Sequence, residues 1–258
     1  MSKLICLLLL CLSFSVHAQK GIHESILFEK PPVIDGDMSD WTSEWWLDPD
    51  GKFLSNVGND SENLYFRLKI SDDLTQQKIG LFGLSLRLNP NGKKRGKVGL
   101  KYPVGKDASE LKKEKPEAVA SETELGAKIR MKKELVSDVE VVELIGLAKQ
   151  NIVSSRLGLA NGIEAIIIAL DDGSYIYEAK IPFKAFKINK GEVNLMGVEF
   201  ETGRLIVQNK NANPTSAYSP GMRGPGGYGQ QQPRMYYNNY QYNVLSSPGY
   251  LWLGIKLK

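Results

Sequence analysis

The sequence is nearly free of cysteine and histidine. Its 258 residues include two cysteines, Cys6 and Cys11, and two histidines, His17 and His23. Both cysteines and His17 lie in an N-terminal stretch with the pattern of a removable leader, so the remaining chain has no thiol for a disulfide or a cysteine-ligated metal. A single remaining histidine also argues against His-rich metal sites and several familiar acid–base arrangements.

Long apolar runs are missing after the N-terminus. Lys3 precedes a short apolar run, and Val16 and Ala18 occupy the −3 and −1 positions of a cleavage site. This is the pattern of a secretory signal peptide over residues 1–18, and the run is shorter than the about 20 residues of a transmembrane helix. The sequence therefore predicts an exported protein, periplasmic, extracellular or at the cell surface, without a transmembrane anchor.

Familiar catalytic motifs are also missing. The chain has no Gly-x-Ser-x-Gly elbow, no phosphate-binding loop and no His-Glu-x-x-His sequence. Glu178 and Glu199 offer carboxylates of the kind that glycosidases use in pairs. Both lie on predicted strands, however, where they are expected to face solvent. We therefore expect a protein that is not an enzyme.

A strong excess of one charge is absent too. The formal net charge is +4, and the local basic cluster NGKKRGK, residues 91–97, contains an Asn-Gly pair of the kind found in tight turns. Clustered basic residues alone are a weak sign of nucleic-acid binding. We interpret this cluster as a solvated hairpin turn and expect no nucleic-acid partner.

An alternation of period two dominates the rest of the chain. In NLYFRLKI, residues 63–70, every second residue from Leu64 to Ile70 is apolar, as a strand with one buried face requires. Similar alternation or short apolar runs predict strands at residues 81–88, 139–145, 163–170, 175–183, 193–200 and 250–257. Many short strands separated by turn signals predict an all-β fold, an antiparallel β-sandwich of jelly-roll-like type.

The pair Asp172-Gly173 predicts the tip of a hairpin that joins two of these strands. The first, residues 163–170, is almost wholly apolar, which suggests a central position in its sheet. Pro182 is expected to end the second strand, because its ring cannot donate to a ladder.

Two segments interrupt the strand pattern. Residues 103–138 are rich in Lys and Glu, and within them SETE at 121–124 has capping-box spacing, while residues 127–132 alternate like a strand. The sequence is therefore compatible with either a helix or a strand in this segment. Residues 209–243 are rich in Gly, Pro, Gln and Tyr and are expected to form a long disordered loop before the last strand. We expect one β-sandwich domain over residues 19–258, with both segments as insertions.

Three stretches together resemble a known family. They are PPVIDGDMSDW from residue 31, NDSENLYFRLKISDD from residue 59 and YIYEAKIPF from residue 175. In order and rough spacing they are similar to the family 9 carbohydrate-binding modules and the wider DOMON-like group of β-sandwiches. The matching residues are Pro32, Ile34, Asp35, Gly36, Asp40, Trp41, Asn59, Asp60, Leu64, Tyr65, Asp72, Asp73, Tyr175, Glu178, Ile181, Pro182 and Phe183.

The chemistry of these residues suggests structural roles for the opening stretch. Gly36 lets the backbone turn after Asp35, and Trp41 is expected to bury its ring as a plug at the end of the sandwich. The resemblance itself implies a module that binds sugar chains between tryptophan faces, with structural calcium in some members and no other cofactor.

The candidate ligand-binding residues are Trp45, Trp46 and Trp252. Consecutive residues of a strand point to opposite faces, so at most one of Trp45 and Trp46 is expected in the core. Hard oxygen ligands for calcium are offered by Asp35, Asp60, Asp72 and Asp73. Carbohydrate is the expected partner. The alternative is a structural or assembly protein of the cell envelope that binds a protein through its Tyr- and Gln-rich loop.

Overall fold

The chain forms two β-sheets that pack face to face. The computed structural model describes residues 21–106, 123–137, 139, 141–146, 152–154, 161–206 and 243–258. The strands are β1 Ile22–Glu24, β2 Ile26–Leu27, β3 Trp46–Leu47, β4 Phe53–Asn59, β5 Asn63–Ile70, β6 Leu84–Asn89, β7 Val98–Lys101, β8 Val141–Ile145, β9 Ile152–Ser154, β10 Glu164–Ala169, β11 Tyr175–Pro182, β12 Met196–Thr202 and β13 Tyr250–Lys256.

Within the described residues, one sheet has seven strands in the order β1-β13-β12-β6-β7-β8-β9. The other has six, in the order β10-β11-β5-β4-β2, with β3 also paired to β4. Strands β1 and β2 pair in parallel with β13 and β4, and the other pairs are antiparallel. The predicted antiparallel sandwich is therefore confirmed, with short parallel strands added at two edges.

The hydrophobic core lies between the two sheets. Phe66 of β5 and Tyr177 of β11 contact Phe200 of β12 edge to face, with ring centroids 6.1 and 6.3 Å apart. Leu64, Phe66, Leu68 and Ile70 are fully buried, as the alternation in β5 predicts. The facing positions of β6, β12 and β13 close the core from the other sheet.

The longer α-helices of the described part of the chain are α1 at Asp73–Phe82 and α2 at Glu124–Val136, and residues 243–246 form a further helical turn before β13. Short 3-10 helices occur at Met38–Asp40, Phe183–Phe186 and Lys190–Glu192. None of the helices that the structure describes combines the length and the apolar character needed to cross a bilayer.

The helix α2 decides between the two possibilities left open for residues 127–132. Thr123, rather than Ser121, caps it, because its hydroxyl accepts a hydrogen bond of 3.1 Å from the Gly126 amide. Val136 is buried against the core, and the Arg130 guanidinium pairs with Glu134 one turn on at 2.9 Å. A helix places these residues on suitable faces, so the alternating pattern was misleading here.

The predicted hairpin at Asp172-Gly173 is confirmed, since β10 pairs antiparallel with β11 around a turn in which Gly173 has φ +78°. The predicted central position of β10 is wrong, because among the described strands β10 pairs only with β11 and lies at the edge of its sheet. Its second apolar face is covered by other elements instead. The Ile168 side chain lies against Gly36, and α2 packs beside the strand.

Residues 28–45 cover the outer face of the six-stranded sheet. Trp41 is buried, as predicted, but on this face rather than at the end of the sandwich. Its indole N–H donates a 3.0 Å hydrogen bond to Glu178, whose other carboxylate oxygen accepts one of 2.7 Å from the Gly36 amide. Glu178 is therefore 0% exposed, and the expectation that it faces solvent is wrong.

A buried arginine lies beside Glu178 under the same segment. Arg67 donates from Nε to Asn56 at 2.8 Å and from a terminal nitrogen to the Ser43 carbonyl at 2.7 Å. Burial lowers the pKa of Arg67 to about 10, and the negative charge of Glu178 opposes that shift. The predicted strand residues Arg67 and Glu178 thus attach the opening segment to the sheet.

The predicted signal peptide, residues 1–18, and the predicted long loop, residues 209–243 except the last, lie outside the described residues. The predictions made for them stay predictions.

Candidate functional site

An open cleft lies where β3 of the six-stranded sheet meets β13 of the seven-stranded sheet. Its volume is about 430 Å³. Trp46 and Leu47 of β3 and Tyr250 and Trp252 of β13 line it. In the described structure β1 pairs with β13 only at Gly254–Lys256, which leaves the earlier half of β13 open beside this space. We call it the aromatic cleft.

Trp46 points toward the interior of the sandwich at its open margin. It pairs directly with Ser55 of β4, and directly paired residues share a face of the sheet. Its indole stacks on the imidazole of His23, with ring centroids 4.2 Å apart and planes 13° from parallel. Burial lowers the pKa of His23 and so favours the neutral form of the stacked ring. Trp46 is only half-buried and keeps part of its surface toward the cleft.

Trp252 enters the cleft from the outer face of β13, because Leu251 and Leu253 on either side of it belong to the core. The ring lies against glycine backbone: a Cβ at Gly21 or Gly254 would lie 3.6 or 3.2 Å from it. The Lys94 ammonium is 5.6 Å from the ring centroid, within the range of a cation–π contact.

Polar atoms without a protein partner lie at residues that line the cleft. Among the described residues, Asp48 Oδ2, Ser55 Oγ and the indole nitrogen of Trp252 are buried and make no hydrogen bond. Burial raises the pKa of Asp48, which is 7% exposed. A buried polar group without a partner costs about 1–3 kcal/mol, so such groups are normally satisfied by water or a ligand.

This combination of surfaces suits a small polar ligand with apolar faces. Leu47 is 70% exposed at the margin of the cleft and Tyr250 is also exposed, which adds apolar surface to the two indoles. Aromatic faces contact the C–H surface of a pyranose, and neighbouring carboxylates and donors bind its hydroxyl groups.

Of the three candidate tryptophans, the structure brings two together. Trp46 and Trp252 share the aromatic cleft, whereas Trp45 does not line it. Trp45 lies over the guanidinium of Arg67, 3.9 Å from its ring centroid, on the outer face of the six-stranded sheet. The opposite directions of Trp45 and Trp46 agree with the sequence prediction, although both are half-buried.

Sequence reasoning missed Tyr250 and Lys94 as residues of the cleft. Tyr250 lies two positions before Trp252, so the alternation that placed Trp252 on the outer face also placed Tyr250 there. Lys94 had no comparable signal, because it reaches the cleft from the turn between β6 and β7.

The four aspartates considered as calcium ligands each make local contacts instead. Asp60 accepts hydrogen bonds from the Tyr65 hydroxyl at 2.6 Å and from the Asn63 amide at 2.6 Å. Burial raises the pKa of Asp60, but these hydrogen bonds outweigh that effect and leave the pKa lowered. Asp35 accepts a hydrogen bond of 2.8 Å from the Asp37 amide.

The other two aspartates make contacts at the start of α1 and between α1 and α2. Asp72 caps α1 by accepting a hydrogen bond of 2.8 Å from the Thr75 amide. Asp73 pairs with Lys128 and Lys132 of α2 at 2.5 and 2.8 Å. Within the described ranges, no three His, Cys, Asp or Glu side chains are grouped so that they could hold a metal. The four aspartates therefore do not form a common set of ligands.

Glu199 also differs from its prediction, because it is 4% exposed rather than open to solvent. It accepts hydrogen bonds from the Arg87 guanidinium at 3.2 Å and from the Arg95 amide at 2.7 Å. Strand β6 places Arg87 directly opposite Glu199, and the turn that follows β6 folds over it. The carboxylate is thus a buried acceptor on the outer face of the seven-stranded sheet.

Comparisons with known proteins add little to this description. No protein-family model matches the chain, and a comparison with curated proteins finds no match. Among solved structures, the chain is similar to a family 9 carbohydrate-binding module from Caldicellulosiruptor kristjanssonii in complex with glucose. The identity is 14%, the match covers 70% of this chain and 77% of that chain, and the TM-score is 0.34.

Proposed function

We propose that this protein is an exported, non-catalytic binding module whose ligand is carbohydrate, held in the aromatic cleft. One observation carries the proposal: Trp46 and Trp252, from different sheets, line the same open space together with buried polar atoms that have no protein partner. The proposal of export is supported by the signal-peptide pattern of residues 1–18.

The cleft fits binding better than catalysis. Among the described residues that line it, the carboxylates are Asp48, which is largely buried, and Asp50, which pairs with Lys52 at 3.4 Å. Incubation with glycans should therefore release no new reducing ends.

The first experiment is calorimetry or affinity electrophoresis of the mature protein against a panel of neutral and acidic oligosaccharides. Trp46→Ala and Trp252→Ala should each weaken binding about tenfold or more, since buried aromatic anchors often carry most of the binding energy. Trp45→Ala is the matched control. It removes the neighbouring tryptophan, which does not line the cleft.

All three variants are first compared by circular dichroism and urea unfolding, so that loss of binding is separated from loss of fold. An equal loss of affinity in Trp45→Ala and Trp46→Ala, both folded, would contradict the placement of the site. Failure of every oligosaccharide to bind the wild-type protein would contradict the proposed ligand class.

A further inference from the structure

A second cavity opens on the outer face of the seven-stranded sheet, beside the aromatic cleft. Its volume is about 600 Å³. Tyr250 and Lys94 line both spaces, so the two are contiguous. The other lining residues are Arg87, Arg95, Gly96, Glu199 and Glu201. We call this space the charged cavity.

The carboxylates of the charged cavity are already engaged. Arg87 lies opposite Glu199 in the β6–β12 register and makes ion pairs with both Glu199 and Glu201. Glu199 also accepts a hydrogen bond from the Arg95 amide. Because the carboxylates have these donors, they have less capacity to attract a cationic ligand.

The cations at the mouth of the cavity are not paired in this way. Among the described residues, neither the Lys94 ammonium nor the Arg95 guanidinium lies within ion-pair distance of a carboxylate. Burial raises the pKa of Tyr250, as do Glu199 and Glu201, and the positive charge of Arg95 acts in the opposite direction. Arg95 and Tyr250 line the same cavity, so one ligand there can contact both.

The turn that carries these cations is fixed to the sheet. A Cβ at Gly96 would lie 2.6 Å from the Leu88 amide nitrogen, so the backbone approaches β6 very closely. The Lys97 amide donates to the Leu88 carbonyl at 3.2 Å, and Asn91 forms a bridge with Leu195. The cationic side chains thus project from an anchored backbone.

We propose that the charged cavity is a subsite for an acidic sugar unit, whose carboxylate or sulfate group is bound by Lys94 and Arg95. The adjoining sugar unit of the same polysaccharide occupies the aromatic cleft. The ligand class is then an acidic polysaccharide rather than a neutral one. This inference rests on the proposed function, because it extends the same ligand beyond Trp252 and Tyr250.

The test compares a short oligogalacturonate with its fully methyl-esterified form, which has the same sugar chain without the charge. A sulfated oligosaccharide of equal length distinguishes sulfate from carboxylate recognition. We expect the better acidic ligand to bind about tenfold more tightly than the ester at low salt, from two exposed ion pairs. The preference should fall as salt rises, since the Debye length is about 10 Å at 0.1 M and shorter above.

Arg95→Gln should reduce the preference for the acidic ligand by roughly three- to fivefold. Lys97→Gln is the matched control, because it removes one positive charge from the same turn at a position that lines neither space. Both variants are checked for an unchanged thermal midpoint. Trp46→Ala should also weaken binding of the acidic ligand, because one polysaccharide is proposed to fill both spaces.

Equal affinities for both acidic ligands and the ester overturn the acidic subsite and leave the carbohydrate-binding proposal standing. Equal losses in Arg95→Gln and Lys97→Gln also overturn it, because the effect is then one of overall charge. Acidic binding that survives Trp46→Ala overturns the continuity of the two spaces. Absence of binding to any glycan instead defeats the proposed function itself.

Discussion

Replacement of Glu178 by alanine tests how the opening segment is attached to the six-stranded sheet. Glu178 is 0% exposed, and it accepts hydrogen bonds from the Gly36 amide and the Trp41 indole. Glu178→Ala removes both acceptors at once. It also removes the negative charge that acts on the buried guanidinium of Arg67.

The expected loss in the free energy of unfolding can be worked out from the polar groups that lose their partner. A buried donor without a partner costs about 1–3 kcal/mol, and two such donors remain after the substitution. The loss of a nearby negative charge from Arg67 adds to this cost, although the two groups do not form an ion pair. These costs overlap, since all arise from one carboxylate. We expect Glu178→Ala to lower the free energy of unfolding by about 2–5 kcal/mol, the range for two unsatisfied buried donors.

Glu178→Gln and Trp41→Phe separate the contributions. The glutamine keeps one oxygen acceptor but presents an amide nitrogen to the second donor, so a cost of about 1–3 kcal/mol is expected. Trp41→Phe removes the indole donor and leaves the aromatic contact with Phe28, for which we expect a cost of about 1–3 kcal/mol. In the folded protein, the rings of Trp41 and Phe28 lie edge to face at 5.0 Å.

The assay is equilibrium unfolding in urea, with the midpoint and the slope fitted for each variant. An unchanged slope shows that the variant changes the stability and not the compactness of the native or unfolded state. A cost below about 1 kcal/mol for Glu178→Ala would refute the reasoning, because the smallest expected penalty of one unsatisfied donor is already that large. A larger loss in Glu178→Gln than in Glu178→Ala would refute it as well.

Two further predictions concern single residues in the loops beside the six-stranded sheet. Gly36→Ala should destabilise the protein by about 1–3 kcal/mol more than Gly51→Ala in urea unfolding, since steric overpacking adds to the backbone strain that both share. Both glycines have positive φ, but a Cβ at Gly36 would lie 2.6 Å from the Ile168 side chain while Gly51 has open space. Asp172→Asn should lose stability at neutral pH, because hydrogen bonds from Ser174 lower the pKa of Asp172 to about 2. A lowered pKa stabilises the folded protein at pH values above the unfolded pKa of 3.8. The difference in free energy of unfolding between wild type and variant should therefore be largest above that pH and should decrease as the pH falls toward 2. A difference that increases in acid would contradict the assignment.

Much of the sandwich could be predicted because strands and tight turns have recognisable patterns over a few residues. In β5 and β13 the apolar positions alternate with polar ones, and Asp172-Gly173 identifies the turn between β10 and β11. Strand β4 was missed, since FLSNVGN has polar residues at inward positions such as Ser55. Helix α1 was missed too, because its start depends on the cap from Asp72, which we considered as a possible calcium ligand.

The candidate site could be predicted only in part. Because Trp45 and Trp46 are consecutive, the sequence predicted that they point in opposite directions. It did not predict which of them lies in the same cleft as Trp252. Which edges of the two sheets lie together is decided by long-range pairing, and β3 and β13 are about two hundred positions apart in the chain. Their juxtaposition has no local signature.

By itself the sequence determined the fold class, most strands of the core, the hairpin at Gly173 and the structural nature of the Asp-Gly…Trp stretch. These depend on side-chain period and turn chemistry, which act over a few residues. Only the tertiary structure decided that Glu178 and Glu199 are buried and that Trp46 and Trp252 share a cleft. Such burial depends on the segments that fold over an outer sheet face, and period alone does not distinguish a covered face from a solvated one.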